Sequence, residues 1–165
     1  GAARPAEGGR ITVEPMEIRP YLRKVQFYET DGMGIVHHAN YIYWMEEART
    51  DLMDQLGWGY DKAVEAGSDF ALTEVNCKYR SMPPFGETVA IAVTVTRLTP
   101  ARVDLHYDIT STADGTLRAE GESRHFFYDR AKKAPVALKK ALPEVYERLA
   151  AMLGHPEERK DNGKA

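Results

Sequence analysis

Residues 28–50, YETDGMGIVHHANYIYWMEEART, place a carboxylate, two glycines and two adjacent histidines directly before a long helical pattern. Apolar side chains recur at steps of three and four from Tyr41 to Leu56, which predicts one long amphipathic helix. Asn40 is a candidate N-cap for this helix, and Gly57 suits the C′ position after its end. The segment therefore predicts a polar loop that leads into the N-terminus of the longest helix.

The chain beyond this helix alternates apolar and polar residues with a period of two, which predicts strands. The predicted strands are residues 22–29, 74–80, 89–95, 103–109 and 117–128. Pro83 and Pro84 interrupt the pattern, and ADG at residues 113–115 marks a hairpin. YDKAVEAG predicts a short helix that ends at Gly67, and LPEVYERLAAML predicts a C-terminal helix. This order predicts an α+β fold, with a five-stranded antiparallel sheet wrapped around the long helix.

Length and composition favour one globular domain, because 165 residues with 43% apolar and 28% charged side chains can bury a core. We expect this domain at residues 17–153, between flexible segments at 1–16 and 154–165. The net charge of -3 gives no general attraction to nucleic acid, and no apolar run reaches the ~20 residues of a membrane helix. The single cysteine, Cys77, excludes an intrachain disulfide and fits a reducing, cytoplasmic location.

Several catalytic motifs are absent from the sequence. The serines lie in no G-x-S-x-G elbow, and no P-loop occurs. The five histidines form no zinc-binding pair, so we expect neither a metal nor a cofactor. Cys77 lies within an alternating strand pattern, which favours a small buried side chain over a nucleophile.

Asp31 is the candidate for chemistry in the opening segment, although turn formation is a competing interpretation. An Asp before a Gly commonly bonds to backbone N–H groups of its own turn. The following helix start carries unpaired N–H groups with partial positive charge, which can hold an oxyanion. A carboxylate beside such a site suits hydrolysis of a thioester, whose thiolate, with a pKa of about 8.5, leaves without a strong general acid.

Residues 29–50 resemble the 4-hydroxybenzoyl-CoA thioesterase type of hotdog-fold acyl-CoA thioesterase. In that family the segment reads approximately D-x-D-x-x-G-[IV]-V-x-[HY]-x-x-Y, followed by a helix with E-x-A-R. The later strand order agrees with the hotdog pattern, so the resemblance spans about residues 22–130. It implies a hotdog fold and hydrolysis of acyl-CoA to the free acid and CoA.

The same resemblance assigns roles to individual residues. It implies that Asp31 is the catalytic aspartate, acting as nucleophile or as base for water. The backbone N–H at His38 is the implied oxyanion hole, and the His38 side chain would orient the substrate or the carboxylate. Glu29 replaces the first aspartate of the motif, a position with a supporting role. The expected substrate-binding residues are Gly34, His37, Asn40, Tyr41, Arg97 and Arg102.

Other expectations concern charge, assembly and substrate. Arg97 and Arg102 flank the LTPA turn, where they would meet the phosphates of CoA or act only as solubilising charges. Glu46 and Arg49 predict an ion pair within the helix or at a subunit interface, and Glu74 is a second candidate carboxylate. The resemblance implies a homodimer in which two sheets join edge to edge, or a homotetramer made of two such dimers. An acyl carrier protein thioesterase, a dehydratase and a non-catalytic acyl-CoA-binding module remain alternatives, and the acyl group stays open.

Overall fold

The computed structural model describes residues 4–6, 10–14 and 16–154. Two short strands, β1 (Arg4–Ala6) and β2 (Arg10–Thr12), pair with each other in antiparallel fashion. Both strands lie in the segment predicted to be flexible, where the sequence shows no alternation of apolar and polar residues that would predict a strand. Residues 1–3, 7–9 and 15 of that segment lie outside the described residues, as do residues 155–165 of the predicted C-terminal tail.

The main sheet is antiparallel throughout and runs in the order β3-β5-β6-β7-β4. Its strands are β3 (Tyr21–Lys24), β4 (Ser68–Tyr79), β5 (Thr88–Thr99), β6 (Arg102–Ser111) and β7 (Leu117–Asp129). A short β8 (Ala134–Pro135) pairs with the end of β7 on the side opposite β4, just beyond the start of β6. The predicted five-stranded sheet is therefore confirmed, with one short strand added. Within the described residues, β4 has a neighbour on one side only, which makes it an edge strand.

The helices follow the predicted order. They are α1 (Ala39–Gln55), α2 (Tyr60–Ala66), α3 (Leu138–Ala141) and α4 (Pro143–Ala151). Gly57 has φ +82° directly after the C-cap of α1, and Gly67 ends α2 with φ +69°. Both glycines occupy the left-handed conformation that ends helices, as predicted.

The core lies between α1 and the inner face of the sheet. The buried face of α1 consists of Tyr41, Trp44, Met45, Ala48, Leu52 and Met53. The sheet contributes Val89, Ile91, Val95, Val103, Leu105, Tyr107, Ile109, Ala119 and Phe127. Gly121 on β7 allows the closest approach, because a Cβ there would collide with the Met45 side chain and the Asn76 carbonyl oxygen. The apolar residues of α1, spaced three and four apart, therefore form the face that packs against the sheet, as predicted.

Two predictions about the segment before α1 are wrong. The predicted strand 22–29 ends at Lys24, and Phe27–Glu29 forms a 3-10 turn. The turn forms because the Glu29 carboxylate accepts a hydrogen bond from the Gln26 backbone N–H at 2.8 Å. Asn40 is not the N-cap, since α1 begins at Ala39, and its side-chain amide instead donates to the Glu29 carbonyl at 2.9 Å.

Candidate active site

The loop that carries Asp31 is a tight turn built on its own carboxylate. Asp31 Oδ1 accepts hydrogen bonds from the backbone N–H groups of Met33 at 2.8 Å and Ile35 at 3.4 Å. The Gly34 N–H donates to the Asp31 carbonyl at 3.0 Å, and Gly34 has φ +77°, which glycine adopts without strain. Among the described residues, Asp31 Oδ2 receives no hydrogen bond, so one carboxylate oxygen remains open to a ligand.

Glu29 anchors this loop to the core. Its carboxylate, 3% exposed, accepts from the Arg23 guanidinium at 3.0 Å and from the Trp44 indole N–H at 2.7 Å. Its backbone carbonyl also accepts from the His37 N–H at 2.8 Å. A buried carboxylate with this many donors fixes the loop against α1, which agrees with the supporting role expected for this position.

The N-terminus of α1 leaves the backbone N–H of its N-cap residue unpaired within the described residues. The Ala39 N–H donates to His37 Nδ1 at 3.1 Å, and the Asn40 N–H donates to the His37 carbonyl at 3.0 Å. His38 is the N-cap, and its own N–H has no hydrogen-bond partner within the described part of the chain. The His37 and His38 rings stack with centroids 4.2 Å apart. The structure therefore has a free backbone donor at the residue for which an oxyanion role is predicted.

A cavity of about 240 Å³ brings these groups together. It is lined by Asp31, Ile35, Val36, His38, Tyr41, Tyr79, Arg80, Ser81 and Met82. The Tyr79 hydroxyl donates to the His38 carbonyl at 3.0 Å, and its ring meets Tyr41 edge-to-face with centroids 5.0 Å apart. The residues from Tyr79 to Met82 were not predicted as part of the site, since no motif connects the end of β4 with the start of α1.

Two ionisable side chains in and beside this cavity, Tyr41 and Cys77, stay neutral near pH 7. Burial raises the pKa of Tyr41 to about 12, so its phenol is no base. Burial also raises the pKa of the Cys77 thiol beside Tyr41, which supports its interpretation as a packed side chain rather than a nucleophile. The acid-base candidates at the cavity are therefore Asp31 and His38.

The remaining predicted residues lie elsewhere. His37, Asn40 and Gly34 adjoin the cavity in the chain but do not line it. Arg97 and Arg102 are exposed near the β5–β6 turn. Ile109 of β6 is level with Tyr79, and Arg102 is seven residues away from it, about 23 Å along the strand direction. Arg97 is level with Asp104, about 17 Å from Ile109, so neither arginine reaches the cavity within one copy of the chain.

The candidate carboxylates and ion pair give a mixed result. Glu74 pairs with Arg124 at 3.2 Å, with both side chains 56% exposed, and does not line the Asp31 cavity. The predicted pair of Glu46 with Arg49 within the helix is not formed among the described residues, because Arg49 donates to the Tyr107 hydroxyl at 3.1 Å. That part of the prediction is wrong, and an ion pair of these residues at a subunit interface stays a prediction.

The described residues contain neither a candidate metal site nor a candidate membrane-spanning helix. No group of three or more His, Cys, Asp or Glu side chains in this part of the chain could hold a metal ion. No helix there is both long and apolar enough to cross a membrane.

Known proteins resemble this chain over most of its length. Residues 25–149 match the family profile described as the thioesterase-like superfamily. The Bacillus subtilis protein YneP, to which acyl-CoA thioesterase activity is ascribed, is 32% identical over 121 residues, or 73% of this chain and 87% of YneP. A 1,4-dihydroxy-2-naphthoyl-CoA hydrolase from Synechocystis is 25% identical over 140 residues, covering 82% of this chain and 96% of the relative. A DHNA-CoA thioesterase structure from Staphylococcus aureus shares the fold, with a TM-score of 0.75, 24% identity and coverage of 89% and 95%.

The curled sheet, its enclosed helix and these similarities define a hotdog-fold thioester hydrolase. The chain belongs to the thioesterase-like superfamily. The resemblance noted in residues 29–50 and the predicted hotdog fold are thereby confirmed. The roles of the individual site residues remain predictions.

Proposed function

We propose that this protein hydrolyses acyl-CoA thioesters to the free acid and CoA, with Asp31 as nucleophile or general base. The backbone N–H of His38 stabilises the oxyanion. The observation that supports these roles is the shared cavity of about 240 Å³, which both residues line. Asp31 keeps one oxygen without a partner, and the His38 N–H is unpaired within the described residues.

The reaction needs few groups because the leaving group is good. The Asp31 carboxylate attacks the thioester carbonyl carbon, or it removes a proton from the water that does so. Negative charge then develops on the carbonyl oxygen, where the His38 N–H and the positive end of the α1 dipole stabilise it. The C–S bond breaks, the electron pair leaves on sulfur, and the CoA thiolate takes a proton from solvent. On the direct route, water then hydrolyses the anhydride formed on Asp31.

The free edge of β4 supports a homodimer, and pairs of dimers would form the tetramer. An unpaired edge of twelve residues presents backbone donors and acceptors to another strand. If two copies of β4 pair antiparallel about their middle, the Phe70 end of one strand lies opposite the Tyr79 end of the other. The β5–β6 turn of one copy then approaches the Asp31 cavity of its partner. This arrangement supports contacts of Arg97 and Arg102 with the CoA phosphates across the interface.

The proposal also includes the residues at the edge of the substrate site and the cellular location. His37, whose exposed ring stacks on His38, forms the edge of the substrate site together with Gly34, Asn40 and Tyr41. The single thiol in the sequence supports a cytoplasmic location, where thiols stay reduced.

Thiol release from a panel of acyl-CoAs, with Asp31→Asn compared with the unmodified protein, tests the proposal. The Asn side chain keeps the oxygen that holds the turn but has no carboxylate charge, so we expect kcat/KM to fall by about 10²–10⁴-fold with the fold intact. Asp114→Asn is the matched control, because Asp114 also holds a turn, accepting from the Thr116 N–H at 2.9 Å, and lines neither this cavity nor its loop. Equal turnover by Asp31→Asn and Asp114→Asn would reject Asp31 as the catalyst.

A further inference from the structure

A second cavity of about 310 Å³, here called the α1–β4 cavity, lies between the middle of α1, the start of α2 and the first half of β4. Its walls include Arg49, Met53, Trp58, Phe70 and His125. None of these residues lines the Asp31 cavity, and none carries a role in the proposed mechanism.

Two buried polar atoms in this wall have no partner. Trp58 is 3% exposed and His125 is 2% exposed, yet Trp58 Nε1 and His125 Nδ1 make no hydrogen bond with any described residue. Leaving a buried polar group unsatisfied costs about 1–3 kcal/mol, so such groups are rare in folded proteins. Two of them in the wall of one cavity indicate a place where a ligand supplies the missing partner.

A chain of hydrogen bonds is satisfied when the His125 atom is a donor. Arg49 can only donate, so the Tyr107 hydroxyl accepts from it at 3.1 Å and needs an acceptor for its own proton. Ser123 Oγ at 2.6 Å can accept it, and this oxygen in turn lies 2.8 Å from His125 Nε2. When Ser123 donates its own proton to Nε2, the neutral ring carries its proton on Nδ1. Burial and the Arg49 charge lower the pKa of His125 to about 3, which keeps the ring neutral.

Acceptors and negative charge lie at the rim of the cavity. Glu46 is exposed, and Asp69 is bonded to Arg130 at 2.8 Å with its side chain 47% exposed. The inner wall thus offers two N–H donors and the Arg49 cation, beside the apolar side chains of Met53 and Phe70. A carboxylate matches this inner wall, because its two oxygens have about four lone-pair sites for the two N–H donors and because it can pair with Arg49.

We propose that the α1–β4 cavity binds a carboxylate at the far end of the acyl group, so that the substrates are acyl-CoAs of dicarboxylic acids. Trp58 and His125 donate to this carboxylate, and Arg49 supplies the opposite charge. The inference rests on the proposed function and on the β4 pairing described above. In that pairing, the Phe70 end of one copy faces the Asp31 cavity of its partner, where the thioester is cleaved.

Binding can be tested without catalysis, since the chain has only two tryptophans. The indole N–H signals of the ¹⁵N-labelled protein are followed while monomethyl glutarate is added, with methyl pentanoate as the matched ligand that lacks the carboxylate. We expect a saturable downfield shift of the Trp58 signal with monomethyl glutarate only. The Trp44 signal is an internal control, because its N–H already donates to Glu29 at 2.7 Å. A Trp58 signal that neither ester moves, or that both move equally, would overturn the inference.

Kinetics test the same idea through a ratio. We expect kcat/KM for glutaryl-CoA to exceed that for pentanoyl-CoA by at least about tenfold, the value of one hydrogen bond to a charged group. Trp58→Phe and His125→Leu each remove one N–H donor and should lower this ratio about tenfold. The control is His106→Leu, which changes another buried strand histidine that does not line the cavity and should leave the ratio unchanged.

The outcomes separate the two proposals. Hydrolysis of pentanoyl-CoA through Asp31 with no preference for glutaryl-CoA would overturn this inference and leave the proposed function intact. A carboxylate-dependent shift of the Trp58 signal with no hydrolysis of any acyl-CoA would support the cavity as a carboxylate site and reject the proposed function.

Discussion

Removing the buried carboxylate of Glu29 should destabilise the protein more than any other single charge deletion near the site. Glu29→Ala leaves the Trp44 indole N–H without its acceptor at 2.7 Å, and it leaves the Arg23 guanidinium, 16% exposed, without one of its two carboxylates. Breaking a buried ion pair on one side costs about 3–5 kcal/mol. Arg23 retains Glu47 at 3.0 Å, so we expect the lower end, about 3 kcal/mol. At about 2–4 °C per kcal/mol, Tm would fall by about 6–12 °C.

Urea unfolding at neutral pH measures this loss, with Glu29→Gln and Glu74→Ala as comparisons. The Gln variant keeps an acceptor of the same shape and should lose about half as much as the Ala variant. Glu74 forms only an exposed pair with Arg124, so its removal should cost less than about 1 kcal/mol. We also expect Glu29→Ala to lower kcat/KM about tenfold at a temperature where it remains folded, because the loop loses its anchor. A loss of stability within 1 kcal/mol of that of Glu74→Ala would refute the assignment of Glu29 as the anchor.

Three further predictions address the helix start, the core and pH. Tyr79→Phe removes the hydrogen bond to the His38 carbonyl and should cost about 0.5–1.5 kcal/mol in urea unfolding while lowering kcat for thioester cleavage. Gly121→Ala should cost at least about 1–3 kcal/mol by the same measurement, since the added methyl group meets Met45. His125 has a folded-state pKa of about 3, below its unfolded value of about 6.5, so its contribution to stability is complete above pH 6.5 and declines as the pH falls toward 3. Relative to His125→Gln, the unmodified protein should lose up to about 1.4 kcal/mol per pH unit in that window, and parallel pH profiles would contradict this.

The sequence predicts best those helices and strands in which the same face is buried along the whole element. The apolar spacing in α1 follows from one buried face, and the alternation in β5 and β6 follows from one inner and one outer face. Gly57 and Gly67 mark helix ends because few other residues adopt their positive φ values without strain. In these cases local sequence and tertiary environment impose the same pattern.

The errors arise where one long-range contact decides the local structure. Residues 22–29 have strand-forming composition, yet Glu29 turns inward to reach Trp44, fifteen positions later, and the chain forms a 3-10 turn. Asn40 is of a residue type that commonly caps helices, but its side-chain amide donates to the Glu29 carbonyl instead of capping α1. Local residue propensities cannot predict either of these hydrogen bonds, because each partner is distant in the sequence.

The site was half predictable for the same reason. Asp31 and His38 lie seven residues apart on one loop, so a local motif could identify both. Tyr79 reaches His38 only because β4 ends beside the start of α1, and its strand pattern shows no more than an alternating aromatic residue. Trp58 and His125 line the α1–β4 cavity from positions 67 residues apart, because the ring of Phe70 on β4 contacts both of them.

Asp31 shows why turn formation and catalysis were hard to separate from the sequence. The two interpretations were opposed because an Asp that bonds to its own turn was expected to be occupied. In the structure a single oxygen, Oδ1, holds the Met33 and Ile35 N–H groups, while Oδ2 has no partner among the described residues. Holding the turn is therefore compatible with catalysis and also orients the second oxygen. Asn can replace the turn-forming oxygen but not the charge, so Asp31→Asn separates the structural role of this residue from its proposed chemical one.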